Sequence, residues 1–444
     1  MCQDHQETEE HAPPPPPRNG ENEPFPWDVG VFDAHCHPTD TMSSIAAMPN
    51  MSARVLTVMS TRAQDQDLVP SVAETHGIQG PDALHTASSS SRRILPAFGW
   101  HPWFSYQLYD DSLAPEKATY HPSSSPSEAK TNHYKSVLVP SPDEEFIASL
   151  PDPIPLSTYL PQVRSRLESH PLSLIGEVGL DKGFRLPMPW TDADHSKRDA
   201  TLTPGGREGR WLSPHRVSIP HQTNILLAQL RLAGELGRAC SVHGVQAHGA
   251  LFDALSSMWK GHEREVVPKR KQKLVAQGAE DWGDDSDDDG GRTAEGRLVV
   301  GARSYPPRIC LHSFSGPVQV LKQYLHPSIP AKMFFSFSTA INLSTEGGVS
   351  KFPEVVKACP DDRILVESDL HVAGERMDEM LEDMYRRVCD IKGWELREGV
   401  EIIARNYEEF VFGGGIARYR VTVKDLGWRK HQGEWRHERI PQEH

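Results

Sequence analysis

The chain has 444 residues, with 47 Lys plus Arg against 61 Asp plus Glu (formal charge -14), 37% hydrophobic and 24% charged residues, 37 prolines and 33 glycines. Length and composition suit one large or two ordinary globular domains, with proline- and glycine-rich inserts that do not pack. No run approaches ~18 apolar residues, and Met1–Pro17 is acidic and then polyproline, which excludes a membrane span and a secretory signal and leads us to expect a soluble protein of the cytoplasm and/or nucleus.

The acidic, proline-rich head, 1–28, is expected to be disordered, and one globular domain is expected over 29–415. Its first strand is Val31–His35 and its second Arg54–Met59, followed by a loop insertion near 62–92 that includes the serine-rich run at Ala87–Arg93. Strand three is Ile94–Gly99, with a further loop insertion near 105–155. Strand four is Ser173–Val178, and prolines and glycines interrupt any regular element near 182–215. Thr223–Arg238 has helical apolar spacing, strand five is Cys240–His243, and Gln246–Met258 is again helix-like.

An insertion near 261–305 runs from basic (Lys269, Arg270, Lys271, Lys273) to strongly acidic; a nuclear-import signal and a solvated loop are both open readings of its basic part. Strands six to eight are Arg308–His312, Met333–Ser338 and Arg363–Glu367, interleaved with helices Pro317–Tyr324, Ser350–Ala358 and Met377–Ile391, and 416–444 forms a tail. Eight strands alternating with helices predict an α/β chain folded as a (β/α)8 TIM barrel with disordered insertions and tail. A doubly wound sheet is disfavoured because no glycine-rich phosphate loop follows the first strand.

Six scattered cysteines, without a paired spacing, read as reduced thiols. Residues 1–30 hold seven acids against one arginine, and 280–289 hold seven more with no base. The body between them is close to neutral, so the global charge does not exclude an anionic substrate.

Histidines and carboxylates gather at the C-terminal ends of the predicted strands, where barrel active sites are built. Strand one ends Asp33-Ala34-His35-Cys36-His37, and residues two apart in a strand share a face, so His35 and His37 can hold one metal. His101, Glu177, His243, His312 and Asp369 lie at five further strand ends. One such histidine would be unremarkable; six convergent ends predict a metal site, with a carboxylate placed between two cations able to bridge them.

These blocks resemble the TatD-type metal-dependent deoxyribonucleases among the amidohydrolase-like barrels, especially a fungal branch with long insertions. The matching blocks are Phe32–His37, Gly99-Trp100-His101-Pro102, Ile175–Asp181, Leu311–Gly316, Val366–Asp369 and Asn406–Phe410, in family order. The resemblance implies that His35, His37 and Asp369 hold one divalent ion, that Glu177 bridges, and that His243 and His312 hold a second, with Mg or Mn as the metal and Zn allowed. It implies catalytic roles for Asp369, which would take a proton from water, and for Glu177 and His101, with Asp33 and His101 supporting the ligands or positioning substrate. DNA is the implied substrate, cleaved at its phosphodiester bonds.

The chain departs from the family pattern at Val245, where an arginine is usual, and after Asp181 and Asp369. Two other functions compete: an amide or ester hydrolase with the same metals, and an interaction scaffold with a vestigial site. The second follows from fungal members described as binding a helical-repeat subunit of a cell-cycle ubiquitin ligase, with a protein partner docking through the insertions. No membrane role is expected.

Overall fold

The computed structural model describes residues 23–85, 92–121, 124–191, 195–196, 198–266, 303–413, 428–431 and 434–437. Its centre is one sheet of eight strands: β1 (Phe32–Cys36), β2 (Val55–Met59), β3 (Ile94–Phe98), β4 (Leu174–Asp181), β5 (Cys240–Val245), β6 (Arg308–Leu311), β7 (Lys332–Phe337) and β8 (Ile364–Val366). They lie side by side in chain order, and every pair is parallel. Nearly every strand residue is buried, as expected when both faces of a parallel sheet are covered.

The sheet is nearly closed into a barrel. Beyond the last strand, the Asp369 N–H donates to His35 O (3.0 Å) and the His37 N–H to Leu370 O (2.9 Å). Below these bonds the Asp33 carboxylate accepts from the Ser368 N–H (3.0 Å) and hydroxyl (2.5 Å), so a buried acid joins β1 to the end of β8.

Helices α1 (Asp65–His76), α2 (Pro126–Val137), α3 (Glu144–Ser149), α4 (Leu156–Ser169), α5 (Ile219–Glu235), α6 (His248–Trp259), α7 (Val318–Tyr324), α8 (Glu346–Ala358), α9 (Glu375–Lys392) and α10 (Leu396–Phe412) fill the connections. In α9, Met377, Leu381, Met384 and Val388 follow the 3.6-residue repeat and are all buried. The helix ends at Gly393, whose positive φ of 68° suits a residue without a Cβ. The barrel interior is filled by Phe32, Leu95, Leu174, Phe334 and Leu365, together with Tyr407 and Phe410 of α10. Arg308, at the start of β6, donates to the Phe410 and Val411 carbonyls, which sets this aromatic plug against the N-terminal end of the barrel. The opposite end is left to polar side chains.

The strand expectations agree with the structure to within a few residues at each end. Three expectations of irregular chain do not. The 105–155 insertion carries α2 and α3, because Ser125 caps α2 by accepting from Glu128 N–H and Ala129, His133, Tyr134 and Val137 make one buried face. Two of those four residues are polar, which hides the helical period from an apolar count. Likewise 62–92 contains α1, the crossover between β2 and β3, with Val69, Val72 and Ala73 buried despite Pro70.

At the end of the head, Phe25 packs edge-on against Trp27 (4.7 Å) and Tyr385 (6.0 Å), so order begins before residue 29. Residues 182–215 lack long elements, as expected, but pair antiparallel at Pro187 and Leu212. Most of the 261–305 insertion, including its basic and acidic runs, lies outside the described residues, as do the polyproline run and most of the tail. The tail's described part is a hairpin of Trp428–His431 and Glu434–His437.

Two imidazoles are locked neutral, His133 in the folded insertion and His221 in α5, which packs beside it. His133 bonds Tyr106 O (2.7 Å) and Thr119 Oγ1 (2.9 Å), and His221 bonds Ser105 O (2.9 Å). Burial pushes their pKa values down to about 3 and about 4, and His221, its ring 5.7 Å from that of His133, further opposes the charging of His133. A histidine whose folded pKa is depressed contributes stability above its unfolded pKa, near 6.5, and that contribution falls as the pH drops towards the folded value. Lowering the pH from 7 to 5 is therefore expected to cost about 2 kcal/mol per imidazole. In urea unfolding, His133→Gln should reduce the pH 5-to-7 difference by about that amount; an unchanged difference would show that this histidine does not titrate on unfolding.

Candidate metal centre

The C-terminal strand ends bring all the sequence-predicted donors to one buried place. The pairing register slips between Asp33 and Cys36 on β1 and between Ile175 and Val178 on β4, the stretches that carry His35 and Glu177. Such irregularities re-aim side chains near sites. Two further donors or their neighbours sit on left-handed backbone, Ser313 (φ 41°) and Asp369 (φ 55°), conformations rare for these residue types and held here by tertiary bonds.

Four donors surround one point. His35 Nε2 lies 3.1 Å from His37 Nε2 and 3.3 Å from Glu177 Oε2; His37 Nε2 lies 3.4 Å from the same Glu177 oxygen and 3.3 Å from Asp369 Oδ1. A fifth distance, His35 Nε2 to Asp369 Oδ1, is 3.9 Å. A tetrahedron with bonds of ~2.0–2.1 Å to its centre has edges of about 3.4 Å, so His35, His37 and Glu177 have the spacing of ligands to one cation, and Asp369 Oδ1 lies at similar distances from the two imidazoles.

The other Glu177 oxygen faces a second set. Oε1 lies 2.8 Å from His243 Nδ1, 2.8 Å from His312 Nε2 and 3.0 Å from His101 Nε2, and the His243 and His312 nitrogens are 3.1 Å apart. Glu177 thus stands between two groups of imidazoles with one oxygen turned to each.

Hydrogen bonds identify which ring nitrogens carry protons. The Trp103 N–H donates to His101 Nδ1 (3.1 Å), so a neutral His101 carries its proton on Nε2 and donates to Glu177. His101 is a positioning donor in that state, not a metal ligand. His243 Nε2 faces Asp181 Oδ2 (3.1 Å), which can only accept, so the proton is there and the Nδ1 lone pair points at Glu177. His35 Nδ1 bonds Ser241 Oγ (2.8 Å), and its ring stacks on His312 at 3.9 Å. Lone pairs and carboxylate oxygens converging at these distances repel unless a cation lies among them, and the residues present therefore fit a divalent metal.

The titration behaviour says the same. Burial opposes the ionised form of Glu177, yet His101, His312 and His35 hold its carboxyl well below the usual range. Burial also lowers the imidazoles, but Asp369 and Glu177 outweigh it at His37, pushed up to about 9, and carboxylates raise His243 and His312 too. Asp369 is held down to about 2 against its burial by His37, His35 and His312. His35 and His101, where burial wins, are lowered, His101 to about 4. The centre demands positive charge beside Glu177 and Asp369.

Several supports were not assigned by sequence reasoning. Asp181 orients His243 and also accepts from Trp103 Nε1 (2.6 Å). The Glu367 Oε1 atom accepts from the Ser313 N–H (2.7 Å) and hydroxyl (2.5 Å) and lies 3.5 Å from His312 Nδ1, while its Oε2 is buried without a partner. From α5, Gln222 clamps the Asp181 backbone (2.7 and 2.8 Å) and Gln229 the Trp100 backbone (2.7 and 3.1 Å). Alternation from Glu177 and Asp369 could have flagged Asp181 and Glu367; nothing in the spacing marks the glutamines. Asp33 lies outside the donor sets, bonding Ser368 and the His35 N–H (3.0 Å), and burial raises its pKa to about 7. His248 begins α6 and is absent from the donor groups among the described residues.

Comparison with known proteins gives a consistent assignment. The family described as "TatD related DNase" matches residues 32–412. The "Cut9-interacting protein scn1" of Schizosaccharomyces pombe is 35% identical over 381 residues, covering 86% of this chain and 98% of that protein. A Saccharomyces cerevisiae protein named an uncharacterized deoxyribonuclease is 26% identical over 349 residues, covering 76% and 83%. Among solved structures, the TatD homologue YjjV of Escherichia coli K12 aligns at 15% identity and a TM-score of 0.45, covering 87% of this chain and 100% of that one.

Replacing a carboxylate that orients a ligating histidine typically costs 10- to 100-fold in metal affinity. Asp181→Asn should therefore weaken one class of bound Mn or Zn by about that factor in chelator competition, and leave the class held by His35, His37 and Asp369 unchanged. Equal affinity in the variant would show that Asp181 does not orient His243 for metal.

Proposed function

The chain belongs to the TatD-related DNase family, and from that premise we propose that it hydrolyses phosphodiester bonds in DNA with water at the His35–Asp369 centre. The observation that carries this reading is the split presentation of Glu177, one oxygen to His35 and His37 and the other to His243 and His312. His35, His37, Asp369 and Glu177 would hold one divalent ion, and Glu177, His243 and His312 a second, with Mg or Mn as the first candidates and Zn compatible with the imidazole-rich donors. Ions so held would lower the pKa of a water and offset charge on a phosphate and its leaving oxygen.

The chain's own groups do the rest. Asp369, ionised, is the acceptor for the water's proton. His101 donates to Glu177 and fixes the direction of its two oxygens. Glu367 and Asp181 keep His312 and His243 facing the centre. The half-buried indole of Trp103, stacked on Phe184 at 4.4 Å and lying 4.7 Å from the His101 ring, makes one wall of the mouth and excludes bulk water on that side. A DNA substrate fits the expected location in the cytoplasm and/or nucleus, and no helix among the described residues is long and apolar enough to cross a membrane.

A second reading follows from the name of the fission-yeast relative, which points to a protein partner. The two readings are compatible, since a buried and fully ordered donor set is not what a scaffold alone requires.

With Mg, Mn or Zn supplied, the wild-type protein should release labelled nucleotides from DNA. Asp369→Asn should cut that rate by at least about 10²-fold, the low end for loss of a positioned proton acceptor, with circular dichroism unchanged. Two ions bound without DNA cleavage, together with hydrolysis of a carboxylic ester or amide, would replace this proposal with the alternative hydrolase; Glu177→Ala function equal to wild type in cells would favour the scaffold.

A further inference from the structure

We propose that the arm formed by residues 182–191 and 198–216, which rises from the C-terminal end of β4, is a strand-binding surface that carries nucleic acid to the metal centre, with Trp211 as its base-stacking platform. The inference rests on the nuclease reading and adds to it a surface outside the catalytic donors.

The arm is built from short antiparallel pairings. The Met188 N–H donates to Trp211 O (2.7 Å), the Ser213 N–H to Leu186 O (2.7 Å) and the Leu186 N–H to His215 O (2.9 Å). The outgoing strand then pairs with Leu138–Val139, setting Arg216 opposite Val139. Leu186 anchors the arm at 1% exposure, while what it displays is unusual. Six large hydrophobic side chains are exposed among the described residues; two are on the arm, Trp211 at 85% and Met188 at 42%, and a third, Val139 at 57%, is on the strand paired with its end. An indole that open to water has no folding role in this chain, and a cluster of such residues marks an interaction site.

The charge identifies the occupant. Residues 182–191 and 198–216 hold six bases and two acids in a chain of net charge -14. Lys182, Arg185 and Arg216 are exposed, and no ion pair joins them to a carboxylate among the described residues. Nearby, the Arg210 guanidinium lies 4.6 Å from the centre of the Trp190 ring. Aromatic faces with interleaved bases are the pattern by which an extended nucleic-acid strand is held, bases stacked and phosphates neutralised.

The arm is also continuous with the centre. Its first residue, Lys182, follows Asp181, the partner of His243, and donates its N–H to Val245 O at the end of β5 (3.1 Å). Two residues on, Phe184 stacks on Trp103, which bonds Asp181. A strand lying on the arm therefore leads to the donors, and a local basic field in an acidic protein concentrates an anionic substrate there.

The test separates binding from chemistry. Full-length protein kept in chelator is titrated with a fluorescent oligothymidylate and read by anisotropy at several salt concentrations. Trp211→Ala is expected to weaken binding about ten-fold, in the range for loss of one base–aromatic stack, and Arg185→Ala/Arg216→Ala to lower the salt slope by about one to two. Hydrolysis of bis(p-nitrophenyl) phosphate, too small to span the arm, should be unchanged in both variants, which also reports correct folding. Binding by Trp211→Ala equal to wild type would overturn the proposal, as would absence of oligonucleotide binding by wild type that still hydrolyses the small diester. If the arm were instead a protein-docking face, the salt slope and affinity for the oligonucleotide would be the same in all three proteins. Failure of the nuclease reading appears separately, as loss of diester hydrolysis in the wild type.

Discussion

Everything at the mouth of this barrel depends on the burial of Glu177. Its carboxylate is 3% exposed, and its ion-pair partners are all imidazoles, not lysine or arginine. A buried carboxylate without compensation is costly, and imidazoles compensate only when protonated or when a cation sits between them and the acid. Asp369, Asp181 and Glu367 press the same requirement from three sides of the ring. Among the described residues, acids and imidazoles are thus concentrated where no lysine or arginine pairs with Glu177, and a cation bound among them would resolve the conflict.

Holding that arrangement needs a rigid frame, and the frame is the nearly closed sheet. The seam between β1 and the end of β8 is made by Asp33, Ser368, the Asp369 N–H and the His37 N–H, which are the residues beside the metal donors or the donors themselves. Closing the barrel and setting His35, His37 and Asp369 into register are therefore one event. Burial drives Asp33 up to about 7, with the Ser368 hydroxyl and two N–H groups opposing it, so the seam uses an acid whose charge is nearly balanced against its protonated form. At the other end the aromatic plug of α10 closes the barrel with apolar surface and leaves the polar chemistry to one mouth.

How much of this was legible from sequence follows from which signals are local. The eight strands were legible because each is a short, largely apolar run, and six of them end in a His or carboxylate. The donor set was legible because barrels build sites at strand ends, and each donor stands in a short block of its own. Helix α2 was not, since His133 and Tyr134 contribute half of its buried face and only tertiary bonds to Tyr106 O and Pro151 O make their burial tolerable. Gln222 and Gln229 were invisible for a related reason. They look like surface residues in an amphipathic helix, and only the finished fold sets them against the Asp181 and Trp100 backbones.

The insertions illustrate the remaining limit, because composition reports disorder and exposure in the same vocabulary. Residues 182–216, rich in proline and glycine, have little regular structure, yet Arg62 reaches them through Pro204 O (3.1 Å) while bound to Asp40 and Asp65, and Thr203 donates to Thr39 O (2.5 Å). These bonds moor the insertion to the loops beside His37, where His371 bonds the same Asp40. An irregular segment held that firmly can present exposed side chains at fixed positions without paying for it in the core. That is the physical difference between a loop that merely connects strands and one that can add a surface to the site they frame.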